Sequence, residues 1–128
     1  MRAVLDTSVL IADTAPSGIE AAISVVSITE LHFGLLVVRD DDERARRADR
    51  LAVVEATFDP IPVTVEVARE WGRLAAAVAQ RGGRRRRRQL DLAIAATAVC
   101  QSAVLLTNSV GDFAIIDDLV EVRTPSGS

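Results

Sequence analysis

Short apolar runs alternate along the chain with longer stretches in which apolar residues recur every three or four positions, the pattern of strands followed by helices. Ala3–Leu5 is apolar and stops at Asp6-Thr7-Ser8, after which a helical turn or two is expected through Ala12. Pro16-Ser17-Gly18 marks a loop, and Ala22–Val26 reads as a second strand. Ile28, Leu31, Leu35 and Val38 then follow helical spacing. Asp40–Glu43 precede Arg44, Arg46, Arg47 and Arg50, acids first and bases later, as a helix dipole favours, with Leu51 and Val54 on the buried side. Pro60-Ile61-Pro62-Val63 is too proline-rich for a central strand and predicts a short edge strand. Val67, Trp71, Leu74, Ala75 and Val78 share one face of a helix that ends before Gly82-Gly83.

Leu90–Val99 predicts a buried helix, Val104–Leu106 a buried strand, Gly111-Asp112-Phe113 a short turn and Leu119–Arg123 a last strand. Strands alternating with helices imply an α/β fold: a short parallel sheet flanked by helices on both faces. The expected organisation is one domain over residues 1–124 and a frayed tail over 125–128.

Composition narrows the chemistry by what it omits. All 15 basic residues of the 128 are Arg, so a Walker A lysine and a Schiff-base lysine are both excluded. His32 is the single imidazole, which rules out a site with several histidine ligands. Cys100 stands alone, so there is no disulfide framework and a reducing compartment is the default. No apolar stretch reaches membrane-spanning length, because Leu90–Leu106 is interrupted by Asp91, Gln101 and Ser102. A soluble, cytoplasmic protein without membrane attachment is expected. Carboxylate is what remains plentiful, with 18 acids and a net charge of −3. On that acidic body Arg84, Arg85, Arg86, Arg87 and Arg88 form a local basic run beside Asp91, suited to phosphate oxygens. A charge run is also a common way to solvate a loop.

The placement of four acids carries more than their number. Asp6 follows the first strand, Glu30 the second, Asp91 opens the buried helix, and Asp112 lies just past the strand Val104–Leu106. In parallel α/β sheets, ligand sites form beyond the carboxyl ends of the strands. Each acid also has a plain structural explanation: Asp6, Asp91 and Asp112 suit helix starts, and Ser27-Ile28-Thr29-Glu30 spells a capping box. Gathered at one edge, however, four carboxylates repel unless a cation or proton intervenes. Hard oxygen ligands suit Mg²⁺ or Mn²⁺, which can activate water and neutralise a scissile phosphate.

Val4-Leu5-Asp6-Thr7-Ser8-Val9-Leu10-Ile11 resembles the opening of a PIN-domain protein. Ser27-Ile28-Thr29-Glu30-Leu31 is similar to its second acidic motif, and Asp91-Leu92-Ala93-Ile94-Ala95-Ala96-Thr97-Ala98, the most specific match, to its third. Leu105-Leu106-Thr107-Asn108, running on to Gly111-Asp112-Phe113, resembles the last. Order and size fit the VapC-type toxins of bacterial toxin–antitoxin pairs across the whole chain. The resemblance implies a Mg²⁺-dependent endoribonuclease toxin, commonly dimeric and inhibited by a cognate antitoxin. Asp6, Glu30 and Asp91 would then be the metal-site carboxylates and Asp112 the fourth acid. Two departures stand out: the span from Asp6 to Glu30 is shorter than in the family, and Ser109 stands where an acid or amide is frequent.

Around these acids, Thr7 and Ser8 are candidates to bond the Asp6 carboxylate or a metal-bound water, and Thr107 and Asn108 to orient an acid. Turn chemistry would explain the same four residues. His32 is expected to be structural or exposed, and Trp71 and Cys100 to belong to the core. The leading expectation is a metal-dependent ribonuclease with arginines on the RNA backbone. The alternative is a catalytically silent acidic pocket that captures a basic partner peptide. A phosphoacceptor built on Asp6 comes last, because such sites usually hold a lysine.

Overall fold

The computed structural model describes residues 1–84 and 88–126. Strand β1 (Arg2–Leu5) leads into the short helix α1 (Thr7–Ala12), then β2 (Glu20–Ala22), α2 (Val25–Val37), α3 (Asp41–Thr57), α4 (Val65–Gln80) and α5 (Gln89–Cys100). Strand β3 (Val104–Leu106), a 3-10 helix (Val110–Ile116) and β4 (Val122–Arg123) complete the chain. The four-stranded sheet is ordered β2-β1-β3-β4 and every pairing is parallel.

Alternation along the two central strands builds a core on each face of the sheet. Ala3 and Leu5 of β1 and Val104 and Leu106 of β3 pack with Leu10, Leu31, Leu51 and Val54 from α1, α2 and α3. Val4 and Leu105 point the other way, into a cluster with Leu74, Val78, Ile94 and Phe113. Helices therefore cover both faces, as expected. Every residue of α5 from Leu92 to Ala98 is buried, and its alanines leave room for α4 to pack along it. The one polar side chain in that stretch, Thr97, donates its hydroxyl to Ala93 O at 2.9 Å, so nothing polar is stranded. Gly82, at φ +81°, takes the left-handed turn that ends α4 where expected.

Three expectations shift. The run Ala22–Val26 divides: β2 ends at Ala22, and Ser24 caps α2, its Oγ accepting the Val26 N–H at 3.1 Å. A hydroxyl at the turn competes with the ladder for backbone donors, so the apolar run does not continue as strand. The expected edge strand at Pro60–Val63 shrinks to a single parallel bridge between Ile61 and Ser24. Ile61 gives its N–H to Ile23 O at 2.8 Å, and the prolines on either side have none to give. The last strand narrows to Val122–Arg123. Among the described residues, no helix is long and apolar enough to cross a membrane.

Candidate active site

Register places the first acid. Leu5 pairs with Leu106, so the residues that follow, Asp6 and Thr107, stand side by side where two central strands end. Asp6 continues the ladder through its N–H to Leu106 O at 2.8 Å and is only 5% exposed. Its Oδ2 accepts the Ser8 and Thr107 hydroxyls, both at 2.8 Å. Ser8 and Thr107 lie 3.3 Å apart, but each has spent its proton on Asp6, so that approach is a contact only. The side chain of Asp6 does not cap α1, although its backbone occupies the cap position. Its Oδ1 receives no hydrogen bond among the described residues, so one carboxylate oxygen is held and the other left open.

A second chain of hydroxyls fixes Glu30. Thr7 Oγ1 donates to Glu30 Oε1 at 2.8 Å, and its remaining lone pairs can accept from Ser27 Oγ at 2.9 Å. Ser27 is fully buried within α2 rather than at its start, so the expected capping box is absent: Ser24 is the cap, and Ser27 belongs to the site. Glu30 lies in the body of α2, well beyond the end of β2. Burial pushes its carboxyl above the usual range, the Thr7 bond pulls it down, and the charge of Asp6 adds a smaller upward push.

Asp91 sits in the first turn of α5, where partial burial pushes its carboxyl up to about 6. Asp6 and Glu30 add to that rise, Arg88 opposes it, and Asp112 contributes least. The charges of Asp6 and Glu30 thus both reach Asp91, from the end of β1 and from α2. Asp112, in the 3-10 helix, is engaged differently: Arg88 Nη1 lies 2.5 Å from its Oδ2 and 3.8 Å from Asp91 Oδ2. Arg84, Arg88, Asp91 and Asp112 line the mouth of a cavity of about 260 Å³ whose floor includes Leu92 and Phe113. Arg85, Arg86 and Arg87, expected to contact substrate, lie outside the described residues. Arg88, expected to bind phosphate, is committed to carboxylates in this structure.

Asn108 fastens the loop after β3 to α1. Its backbone N–H reaches Ser8 Oγ at 3.1 Å, and its side chain donates to Ser8 O at 3.2 Å and Thr14 Oγ1 at 3.0 Å. Asn108 therefore orients the loop and not an acid directly. Ser27 escaped sequence reasoning as a site residue. It stands three positions before Glu30, hence on the same helix face, and that spacing could have revealed it. A second cavity of about 380 Å³ borders Glu30 and is lined by Leu31, Gly34 and the arginines 46, 47 and 50 of α3. His32 is exposed, while Trp71 and Cys100 pack against the core as expected.

The donor set fits a hard divalent cation: carboxylate oxygens only, with an open oxygen on Asp6 and mutual repulsion that a cation would relieve. Among the described residues no three acids stand close enough to form a ready-made cage. A small ion that keeps several waters and takes one or two carboxylates does not require one.

No family model matches the chain. It is 36% identical over 127 residues to ribonuclease VapC5 of Mycobacterium tuberculosis, covering 94% of this chain and 91% of that protein. The chain belongs to the VapC ribonuclease family. Ribonuclease VapC8 of the same organism is 43% identical over 100 residues, 74% of this chain and 88% of the relative. The crystal structure of VapBC-5, a member of the VapBC family of toxin–antitoxin systems from M. tuberculosis, superposes with a TM-score of 0.82 at 36% identity, covering 96% of each chain. The PIN-like resemblance read from the motifs is thereby borne out, as is the expectation of a nuclease rather than a silent binding module.

Proposed function

We propose that the chain is the toxin of a type II toxin–antitoxin pair, an endoribonuclease that hydrolyses RNA phosphodiester bonds with Mg²⁺ or Mn²⁺ held by its carboxylates. The observation that carries this is Asp6: buried, fixed through Oδ2 by two hydroxyls, and open at Oδ1 beside two acids whose pKa values it helps to raise. Asp6 and Asp91 would hold the ion, with Glu30 and Asp112 completing the acidic pocket. When bound, such an ion lowers the pKa of water and offsets charge gathering on the phosphate. Glu30, held by Thr7 at one oxygen, orients the attacking water and takes its proton, a role suited to a carboxylate of raised pKa. The arginines 84 to 88 are proposed to meet the RNA backbone, Arg88 only once it leaves Asp112.

A cognate antitoxin and a homodimer are part of the same reading. Support for the antitoxin comes from the VapBC complexes among the structural relatives. The chain's own Arg88 supports it too, because the acidic pocket accepts a guanidinium at 2.5 Å. A partner's arginine could take the same place.

The test is RNA cleavage by Asp6→Asn and Asp91→Asn with Mg²⁺. Loss of at least about a hundredfold in rate is expected, with the fold retained by circular dichroism. Undiminished Mg²⁺-dependent cleavage by both variants would remove the assignment.

A further inference from the structure

Resting on the reading of the acids as a divalent-cation site, one contact adds a control that this reading does not contain. The Arg88 guanidinium spans the two outer acids, 2.5 Å from Asp112 and 3.8 Å from Asp91. These acids lie on different elements: the first turn of α5 and the 3-10 helix. Arg88 immediately precedes α5, so its side chain folds back over the helix start and crosses to Asp112. Arg84 lines the same cavity without an ion pair among the described residues. Of the two described arginines at this cavity, Arg88 alone is thus paired with the acids.

We propose that Arg88 is a positioning residue that serves as the site's built-in counter-ion, holding Asp112 in the cation-free protein and competing with the incoming divalent cation. A guanidinium and a divalent cation seek the same carboxylate oxygens, and one oxygen cannot satisfy both at short range. The contact keeps the acids paired when no ion is present. It also raises the cation concentration needed to occupy the site. Asp112 is thus the anchor of Arg88 in the resting protein and joins the cation's surroundings only after exchange.

Isothermal titration of the purified full chain with Mn²⁺, without RNA, reads this directly. Arg88→Gln should bind Mn²⁺ about three- to tenfold more tightly than the natural chain, the range set by removing one partly exposed ion pair. Arg88→Lys, which keeps the charge, should stay within about twofold of the natural chain. Arg84→Gln removes an equal charge from the same cavity and should change the affinity less than Arg88→Gln does. Arg88 is an exposed side chain, and Arg88→Ala repeats the measurement should the Gln variant fold poorly. Unchanged or weaker Mn²⁺ binding in Arg88→Gln overturns the proposal, as does equal tightening in Arg84→Gln, which would mark a general charge effect. If neither the natural chain nor Arg88→Gln binds Mn²⁺, the cation site itself is wrong and this inference goes with it. Binding by both at equal strength removes only the role of Arg88.

Discussion

The Thr107 hydroxyl donates to Asp6 Oδ2 at 2.8 Å and accepts the Ser109 N–H at 3.0 Å, in a residue with no exposed surface. Exchanging it for valine keeps the shape and removes both bonds. The carboxylate would lose one of its two hydroxyl donors, and a backbone donor beside a buried methyl would be left unpaired. A hydrogen bond to a charged group contributes about 1.5–3 kcal/mol, and an orphaned donor costs about 1–3 kcal/mol. Thr107→Val is expected to lower unfolding free energy by roughly 2–4 kcal/mol in urea titrations and to weaken Mn²⁺ binding. Stability within about 0.5 kcal/mol of the natural chain would show that Ser8 alone suffices to hold Asp6. In the sequence Thr107 was a candidate to orient an acid or a turn residue, with nothing to say which acid it would meet. Its partner lies 101 positions away, and only the parallel register of β1 with β3 brings them together.

At the scale of elements, legibility followed the length and regularity of the apolar pattern. The amphipathic helices α3 and α4, of 17 and 16 residues, and the apolar α5, buried from Leu92 to Ala98, were clear, because a long consistent pattern outweighs any local exception. Short strands were harder. Two to four residues carry almost no period, so their ends depend on single hydrogen bonds such as the Ser24 cap. Asp6 and Asp91 could be placed because a strand end and a helix start can be located in a sequence even when their boundaries drift by a few residues, whereas Glu30 lies in the body of α2. The Arg88 contact was not readable, since it needs the 3-10 helix to stand against the start of α5. Ser24 offers the cleanest test at this scale. Its Oγ accepts the Val26 N–H in a fully buried setting, and α2 carries Glu30 and Ser27 into the site. Ser24→Ala should destabilise the protein by about 0.5–2 kcal/mol, read as a lower urea midpoint at unchanged slope. A change in slope instead would mean that α2 had lost its independent integrity and no longer unfolds with the rest.

For the whole molecule, the acids set a dependence of stability on pH that a divalent cation should reverse. Burial raises Asp91 to about 6, with the charges of Asp6 and Glu30 adding to the rise, and burial raises Glu30 as well. In the unfolded chain these carboxyls titrate near ~4. Between about 4 and 6 the folded state therefore holds more protons than the unfolded one, and stability falls as pH rises through that window. Above both values the acids are charged in either state and the destabilisation is complete. With EDTA present, lowering the pH from 7.5 to about 5 should raise the melting temperature by roughly 3–10 °C, from about 1–3 kcal/mol of relieved charge burial and, less, repulsion, already discounted for the partial exposure of Asp91. Exposed ion pairs with depressed carboxylates, such as Asp118 with Arg81, act in the opposite sense. The quantity to measure is therefore the difference between the natural chain and Asp91→Asn across pH. Mn²⁺ requires the charged acids, so its stabilisation should grow with pH and be greatest where the cation-free protein is weakest. At a hundred times its dissociation constant it would contribute about 2.7 kcal/mol. A melting-temperature difference that stays flat with pH, and a Mn²⁺ effect equal at pH 5 and 7.5, would mean that the acids stand too far apart to share an ion.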